Sequence, residues 1–318
     1  MKLFSGTPLS TYASNAASGT KALKTLPVGK VQKTVSGARS ARLAAKTAEG
    51  SHGTADQPTV SSLRLVAIQQ LAKGGRWRVE AMRAYSEPVL LWFTRGQGRI
   101  TIGGVTRGYG SHNAIFIPPG KMHGFELTAQ SSGTALFFGG DHGLELPQEP
   151  MHLRIRDVRP QAELSAIIEN IQREYESDRP GKNRAARHHL GLLSVWLERE
   201  AEAFADEQPR QDAARRLARA YADLLEKDFR NGKTIAEFAK DLGVTPTHLT
   251  RVCNKTCGRS ASDLLHDRLI FEARKLLAET RTPVQEVAEI LGFRSPAYFT
   301  RAFQQRTGKT PTAFRKLL

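Results

Sequence analysis

Hydrophobic positions change their period twice along this chain. Residues 1–58 show no period that lasts; Ser, Ala, Gly, Thr and Lys dominate, and the stretch reads as a disordered tail. From about residue 60 to 140, short apolar runs are broken by Gly and Pro. "RWRVEAMRA" alternates, with Trp77, Val79 and Ala81 on one side, and "VLLWFT", "RITIGG", "NAIFIPPG", "HGFELTA" and "TALFFGG" follow at near-regular spacing. Such β-rich runs with turn residues between them predict an all-β sandwich or barrel. After Pro160 the period becomes helical. Leu164, Ile167, Ile168 and Ile171 share one face, and beyond "DRPGKN" a second helix carries Leu190, Leu193 and Leu197. These stripes either pack on their own domain or form a dimer seam.

A linker is expected over 207–212, and everything after it reads as helix punctuated by glycine. Here the pattern repeats. Ile235, Phe238, Ala239 and Leu242 precede Gly243; Val284, Val287, Ala288 and Leu291 precede Gly292 at the same intervals of i, i+3, i+4, i+7. Each short helix is expected to open with a capping box, Thr234 with Glu237 and Thr282-Pro283 with Gln285, and to stop at its glycine. Past the glycine the first unit turns Leu249, Val252 and Cys253 inward and Thr247, Thr250, Arg251 and Asn254 outward. The second turns Phe299, Ala302 and Phe303 inward and Ala297, Thr300, Arg301 and Gln304 outward. Thr245 and Ser295 are placed to cap these helices. Helix, short turn, helix with hydrogen-bonding side chains and an arginine outward is the layout of a unit that enters the major groove. Arginine grips guanine O6 and N7 in bidentate fashion, and Asn or Gln does the same for adenine. A plain bundle with solvated arginines is the other reading of the same face.

Charge favours the first. The 318 residues hold 47 Lys+Arg against 31 Asp+Glu, a net +16, which points to a polyanionic partner. Residues 1–58 hold 8 basic against 2 acidic side chains, and 212–318 hold 20 against 12; after Glu289 no acid follows. The basic start also mimics an organelle transit peptide, although a solvated tail is the reading adopted. No apolar run approaches the ~20 residues of a membrane span. Both cysteines, Cys253 and Cys257, lie one helical turn apart, which is no secreted disulfide framework, so a cytoplasmic home is expected.

The stretch "RLIFEARKLLAETRTPVQEVAEILGFRSPAYFTRAFQQRTGKTPTAFRK" (268–316) closely resembles the AraC/XylS-type transcriptional regulators, through its "GF-x-S-x-x-YF-x-R-x-F" core and closing "G-x-TP-x-x-FR". The first unit departs from the pattern, with Cys253 where Phe is usual and Ala261 where Pro is common. The resemblance implies two helix-turn-helix units joined by a long helix near 262–277, entering successive major-groove segments. Thr247, Thr250 and Arg251 would read one, and Ala297, Thr300 and Arg301 the next. Residues 60–150 are similar to the cupin-like sensor of such regulators, "PPGKMH" looking like part of a cupin signature. The other expected metal ligands are missing, and a lone His123 cannot hold a catalytic metal. An alkyl-acceptor repair module would need cysteines that 1–211 lack.

The expected architecture is therefore multidomain α+β: a basic tail (1–58), a cupin-like β-barrel sensor (59–150), a helical connector with possible dimerisation (151–211), and an all-α double helix-turn-helix (212–318). Trp77, Arg83, Tyr85, Trp92 and His123 are the candidate effector-binding residues. No catalytic residue, metal or cofactor is expected. The expected partners are double-stranded DNA, a small-molecule effector, a second copy of the chain and, if the output is activation, RNA polymerase. A cupin-class enzyme and a non-specific architectural DNA binder are the rival functions.

Overall fold

The computed structural model describes residues 63–140, 143–204 and 212–317. The expected tail (1–58) and most of the expected linker (207–212) lie outside the described residues. All described residues fall in one compact unit, Asp56–Leu318.

The N-terminal half is built on two antiparallel sheets. Strands β1 (Arg64–Ala67), β2 (Val89–Arg95), β5 (Asn113–Ile117), β7 (Ser132–Phe137) and β8 (Met151–Arg154) form a five-stranded sheet in the order β1-β7-β2-β5-β8. Strands β3 (Gly98–Ile102), β4 (Val105–Tyr109) and β6 (His123–Phe125) form a second, in the order β4-β3-β6. The expected barrel is not closed. Among the described residues no ladder runs from one sheet to the other, and side chains fill the space between them instead.

β2 shows why its run is continuously apolar rather than alternating: both faces of the larger sheet are covered. Leu90 and Trp92 point to one side, where Ala114, Phe116, Leu136 and Phe138 join them against two helices. Val89, Leu91 and Phe93 point to the other, into a core shared with Ile100, Tyr109 and Phe125 of the smaller sheet. Between β1 and β2 lie a 3-10 turn (Ile68–Ala72) and a one-turn helix, α1 (Trp77–Glu80). Here the expectation from alternation fails. Gly74 and Gly75 carry positive φ and redirect the chain, and Arg76 and Glu80 pair at 3.0 Å across the turn.

Helices α2 (Val158–Glu176) and α3 (Lys182–Ala203) spend their apolar stripes on this sheet. Leu164, Ile167, Ile168, Ile171, Leu190, Leu193 and Leu197 are all buried there. The stripes thus pack on their own domain, while Leu192 and Val195 remain exposed on α3.

The C-terminal half is all helix: α4 (Ala213–Asp228), a 3-10 turn (Phe229–Asn231), α5 (Ile235–Asp241), α6 (Pro246–Cys257), α7 (Ala261–Glu279), α8 (Val284–Ile290), α9 (Pro296–Thr307) and α10 (Pro311–Arg315). Its core gathers Tyr221, Phe238, Leu249, Cys253, Phe299 and Phe303, all fully buried, and also takes in Met82 and Met122 from the sheet half. A side chain of this size stabilises by about 1.5–3 kcal/mol when fully buried. α5 opens with the expected capping box of Thr234 and Glu237. α8 does not: its N-cap is Pro283, with no side-chain cap. Thr282 is spent on the preceding turn, where its N–H donates to Thr280 Oγ1 at 3.3 Å, and Gln285 donates to Glu289 at 3.2 Å.

Candidate nucleic-acid interface and effector cavity

Helices α6 and α9 are built alike at both ends. The side chain of Thr245 accepts from His248 N–H at the start of α6, and that of Ser295 accepts from Tyr298 N–H at the start of α9. A proline follows each cap at the first helical position, where its missing N–H costs nothing. Gly258 and Gly308 end the two helices at φ values of 69° and 74°, in the left-handed region that glycine enters without steric cost.

The inward faces are buried: Leu249, Val252 and Cys253 on α6, Phe299 and Phe303 on α9. Ala302, expected inward, is half-buried. The outward faces match position by position. Thr247, Arg251 and Asn254 are exposed on α6, as are Ala297, Arg301 and Gln304 on α9, and Thr250 and Thr300 are both half-buried. Among the described residues neither Arg251 nor Arg301 makes an ion pair, so both guanidinium groups are unspent. Short helices with free N–H groups at capped N-termini also favour an anion there. Arg294, just before α9, and Tyr298, in its first turn, are also exposed, and neither was a candidate from the sequence. Tyr298 stands with its ring 6.0 Å from Phe293, and a stripe template of inward and outward positions assigns it to neither face.

Three of the five candidate effector residues meet. Trp77, Arg83 and Tyr85 line a cavity of about 660 Å³ together with Phe137 from β7 and Phe271 and Lys275 from α7. The α7 residues had no signal in the sequence beyond belonging to a helix. Arg83 is fully buried without a carboxylate: it donates to Tyr85 Oη at 3.0 Å and to the Val79 carbonyl at 2.6 Å, and its Nη2 has no partner. His123 lies behind, its ring 4.9 Å from that of Tyr85, and exchanges both backbone hydrogen bonds with Arg83. Its Nδ1–H donates to the Lys121 carbonyl at 2.8 Å, which leaves Nε2 a buried acceptor without a partner. Burial, then the Arg83 charge, pushes the His123 pKa down to about 3, so the ring is neutral at pH 7. Trp92 does not join the cavity. It sits on the opposite face of the larger sheet, packed toward α2 and α3.

Among the described residues no group of three or more His, Cys, Asp or Glu side chains gathers, and no helix is long and apolar enough to cross a membrane. Cys253 is fully buried and Cys257 half-buried, both as free thiols. Burial first, and the neighbouring Cys257, push the Cys253 thiol up to about 12, which leaves little thiolate for redox chemistry.

A match to a known family falls on the helical half of the chain. The helix-turn-helix domain family matches residues 238–317. The arabinose operon regulatory protein of Escherichia coli (strain K12) is 30% identical over 129 residues, 40% of this chain and 43% of that protein. The HTH-type transcriptional regulator RipA of Corynebacterium glutamicum is 34% identical over 115 residues, 36% of this chain and 34% of that protein. Among solved structures, the C-terminal domain of AraT, a response regulator from Geobacillus stearothermophilus, is 29% identical, covering 35% of this chain and 89% of that one with a TM-score of 0.32. The chain spans less than half the length of either curated relative. Residues 238–317 thus match a helix-turn-helix domain, and the chain is similar over part of its length to transcriptional regulators such as the arabinose operon regulatory protein.

Proposed function

We propose that the chain is a sequence-specific DNA-binding transcription regulator in which residues 212–318 act as a double helix-turn-helix reader, α6 and α9 entering successive major-groove segments. The observation that carries this reading is the equivalence of the two outward faces. An unpaired, exposed arginine recurs at the same place on two identically capped helices, in a half of the chain where bases outnumber acids. Thr245, Thr247, Thr250, Arg251 and Asn254 serve one segment; Ser295, Ala297, Thr300, Arg301 and Gln304 serve the next. Because Ala297 offers no hydrogen bond, base reading by α9 rests mainly on Arg301.

The two-sheet half (59–150) acts as a cupin-like sensor, and its effector enters the cavity bounded by Trp77, Arg83 and Tyr85. That cavity is within the size range of small-molecule sites and mixes aromatic walls with a few polar groups. The connector (151–211) supports a homodimer, the protein acts in the cytoplasm, and RNA polymerase is a further partner if the output is activation.

The test is selection of bound fragments from a random DNA pool by the purified protein at near-physiological salt. Two enriched blocks about one helical turn, ~10 base pairs, apart are expected. Binding that enriches no sequence and disappears as salt rises would sink the reading in favour of an architectural DNA binder.

A further inference from the structure

The turn between β3 and β4 presses on the DNA-reading half. Gly103 and Gly104 both take positive φ there. A Cβ on Gly104 would lie 2.8 Å from the Ala218 carbonyl oxygen of α4, so only glycine allows the approach. Just beyond, Thr106 Oγ1 reaches the Cys257 carbonyl, at the end of α6, at 3.5 Å. Beside this contact is a recess of about 50 Å³, walled by Ile100, Ile102 and Val105 and by Met151 of β8.

Its charges are unbalanced. Lys121 is already spent, with Nζ 3.2 Å from Asp223 and 3.9 Å from Glu149. Arg107 of β4 and Arg219 of α4 both line the recess and are half-buried. Among the described residues neither has a carboxylate within ion-pair distance. Arg215 of α4 and Arg154 of β8 add positive charge nearby. Burial, then Arg219, Arg215 and Arg154, holds the Arg107 guanidinium below its usual range. The neighbouring His152 ring, a further lining group, is pushed down to about 4 by burial and by Arg107 and Arg154. Glu149 and Asp223 also line the recess, but both lie against Lys121, and three cations there face two carboxylates. Half-buried cations left in excess, with no carboxylate of their own in contact, are costly unless something anionic sits between them.

We propose that this recess binds a small oxyanion, the carboxylate or phosphate head of a small molecule, clamped between Arg107 on the sheet half and Arg219 on the first helix of the reading half. A space of about 50 Å³ admits a head group of a few heavy atoms and the apolar wall accepts a short aliphatic part, whereas a DNA backbone is too bulky to enter it. Guanidinium groups hold either head in bidentate fashion. Occupancy turns a repulsive junction into an ion-paired one and fixes the β3–β4 turn against α4 and the end of α6. That last step rests on α6 being a reading helix; the binding site itself does not.

The experiment follows thermal unfolding and calorimetric titration of the full chain in an anion-poor buffer, with ionic strength held constant by chloride. Inorganic phosphate, acetate and butyrate are added in separate arms, which tells a phosphate head from a carboxylate. One of them is expected to raise the melting temperature saturably. R107A and R219A, on separate elements so that one remains informative if the other misfolds, should each weaken that anion by about ten-fold or more. R251A should leave it unchanged. Without added anion, R107A is expected to melt no lower than the parent, because a half-buried uncompensated charge has gone. A shift that tracks ionic strength alone, or one that persists in both variants, would overturn the proposal. So would loss of DNA affinity in R219A with no small anion bound by the parent, which assigns the cluster to a DNA phosphate. Anion binding without any selected DNA site would instead leave this site standing and remove the proposed function.

Discussion

Arg251 and Arg301 are the side chains on which the proposed base reading can be tested, because each is exposed, recurs at the same helix position and makes no ion pair among the described residues. If each grips a base edge, R251A and R301A should each cost about 1–3 kcal/mol at a selected site and relax preference within its own half-site alone. Competition binding against single-block variants of the site checks this, and equal losses on random DNA would mean that both arginines hold only phosphate. His123 carries a different consequence. Its folded pKa, about 3, lies below the ordinary 6.5, so the unfolded chain takes up the proton first as pH falls. The stability tied to its neutral ring is complete above pH 6.5 and declines from there down to about pH 3, at about 1.4 kcal/mol per pH unit. By pH 5 the loss is about 2 kcal/mol from this group, and His152, depressed to about 4, acts with the same sign. Urea unfolding at pH 7.5 and pH 5 measures the difference. H123Q should shrink it by about 2 kcal/mol whatever its effect at either pH alone, and an unchanged difference would clear His123 of the role.

Between elements, the two turns that look interchangeable in the sequence are not. Gly243 and Gly292 take the same left-handed conformation, with φ of 67° and 70°. A Cβ on Gly243 meets nothing within 4 Å, whereas on Gly292 it would lie 2.3 Å from the Arg230 carbonyl oxygen and 2.6 Å from Gly232 N. The second turn is therefore packed against the chain just before α5, and tandem spacing alone does not reveal that contact. G243A should cost about 1–2 kcal/mol from the left-handed backbone, and G292A a further 1–3 kcal/mol from overpacking. Chemical denaturation of the two variants side by side decides it; equal costs would mean that the Arg230 backbone moves aside. The inward stripes of α5, α6, α8 and α9 were legible because each helix lays one face on a shared core, and the 3.6-residue period records that directly. α1 was not legible. Four residues are too few for a helical period, and alternation in "RWRVEAMRA" arises from one turn followed by an extended segment. The second capping box failed for a similar reason: a proline moved the N-cap by one residue and freed Thr282 for the turn. Of the cavity proposed for an effector, the sequence pointed only to residues on the sheet side, because Phe271 and Lys275 reach it from a helix some 190 residues away in sequence from Tyr85.

At the scale of the whole molecule, the sheet half and the helical half share one interior. Met82 and Met122, both 1% exposed, belong to the cluster that holds Tyr221, Phe238 and Phe299. Trp77 stands edge-on to Phe271 of α7 and Phe314 of α10 at 5.7 and 6.2 Å, and Lys121 pairs with Asp223 of α4 at 3.2 Å. If the proposed cavity takes an effector, its signal needs a contact of this kind, because an effector alters DNA affinity only if its binding free energy differs between two arrangements of the halves. Halves joined by surface ion pairs alone would unfold one after the other, since an exposed pair is worth about 0–1 kcal/mol. Halves joined through buried methionines should unfold together, so calorimetry on the full chain is expected to show one transition whose calorimetric and van't Hoff enthalpies agree. M122A then becomes the decisive variant. Emptying that position should cost about 2–5 kcal/mol and lower the single transition as a whole, because the cavity opens in a core to which both halves contribute. Two transitions in the parent, or one half of the melt moving while the other stays in M122A, would mean that the methionines touch the helical core without coupling it. The route from effector to DNA would then have to run through Trp77 and α7 alone.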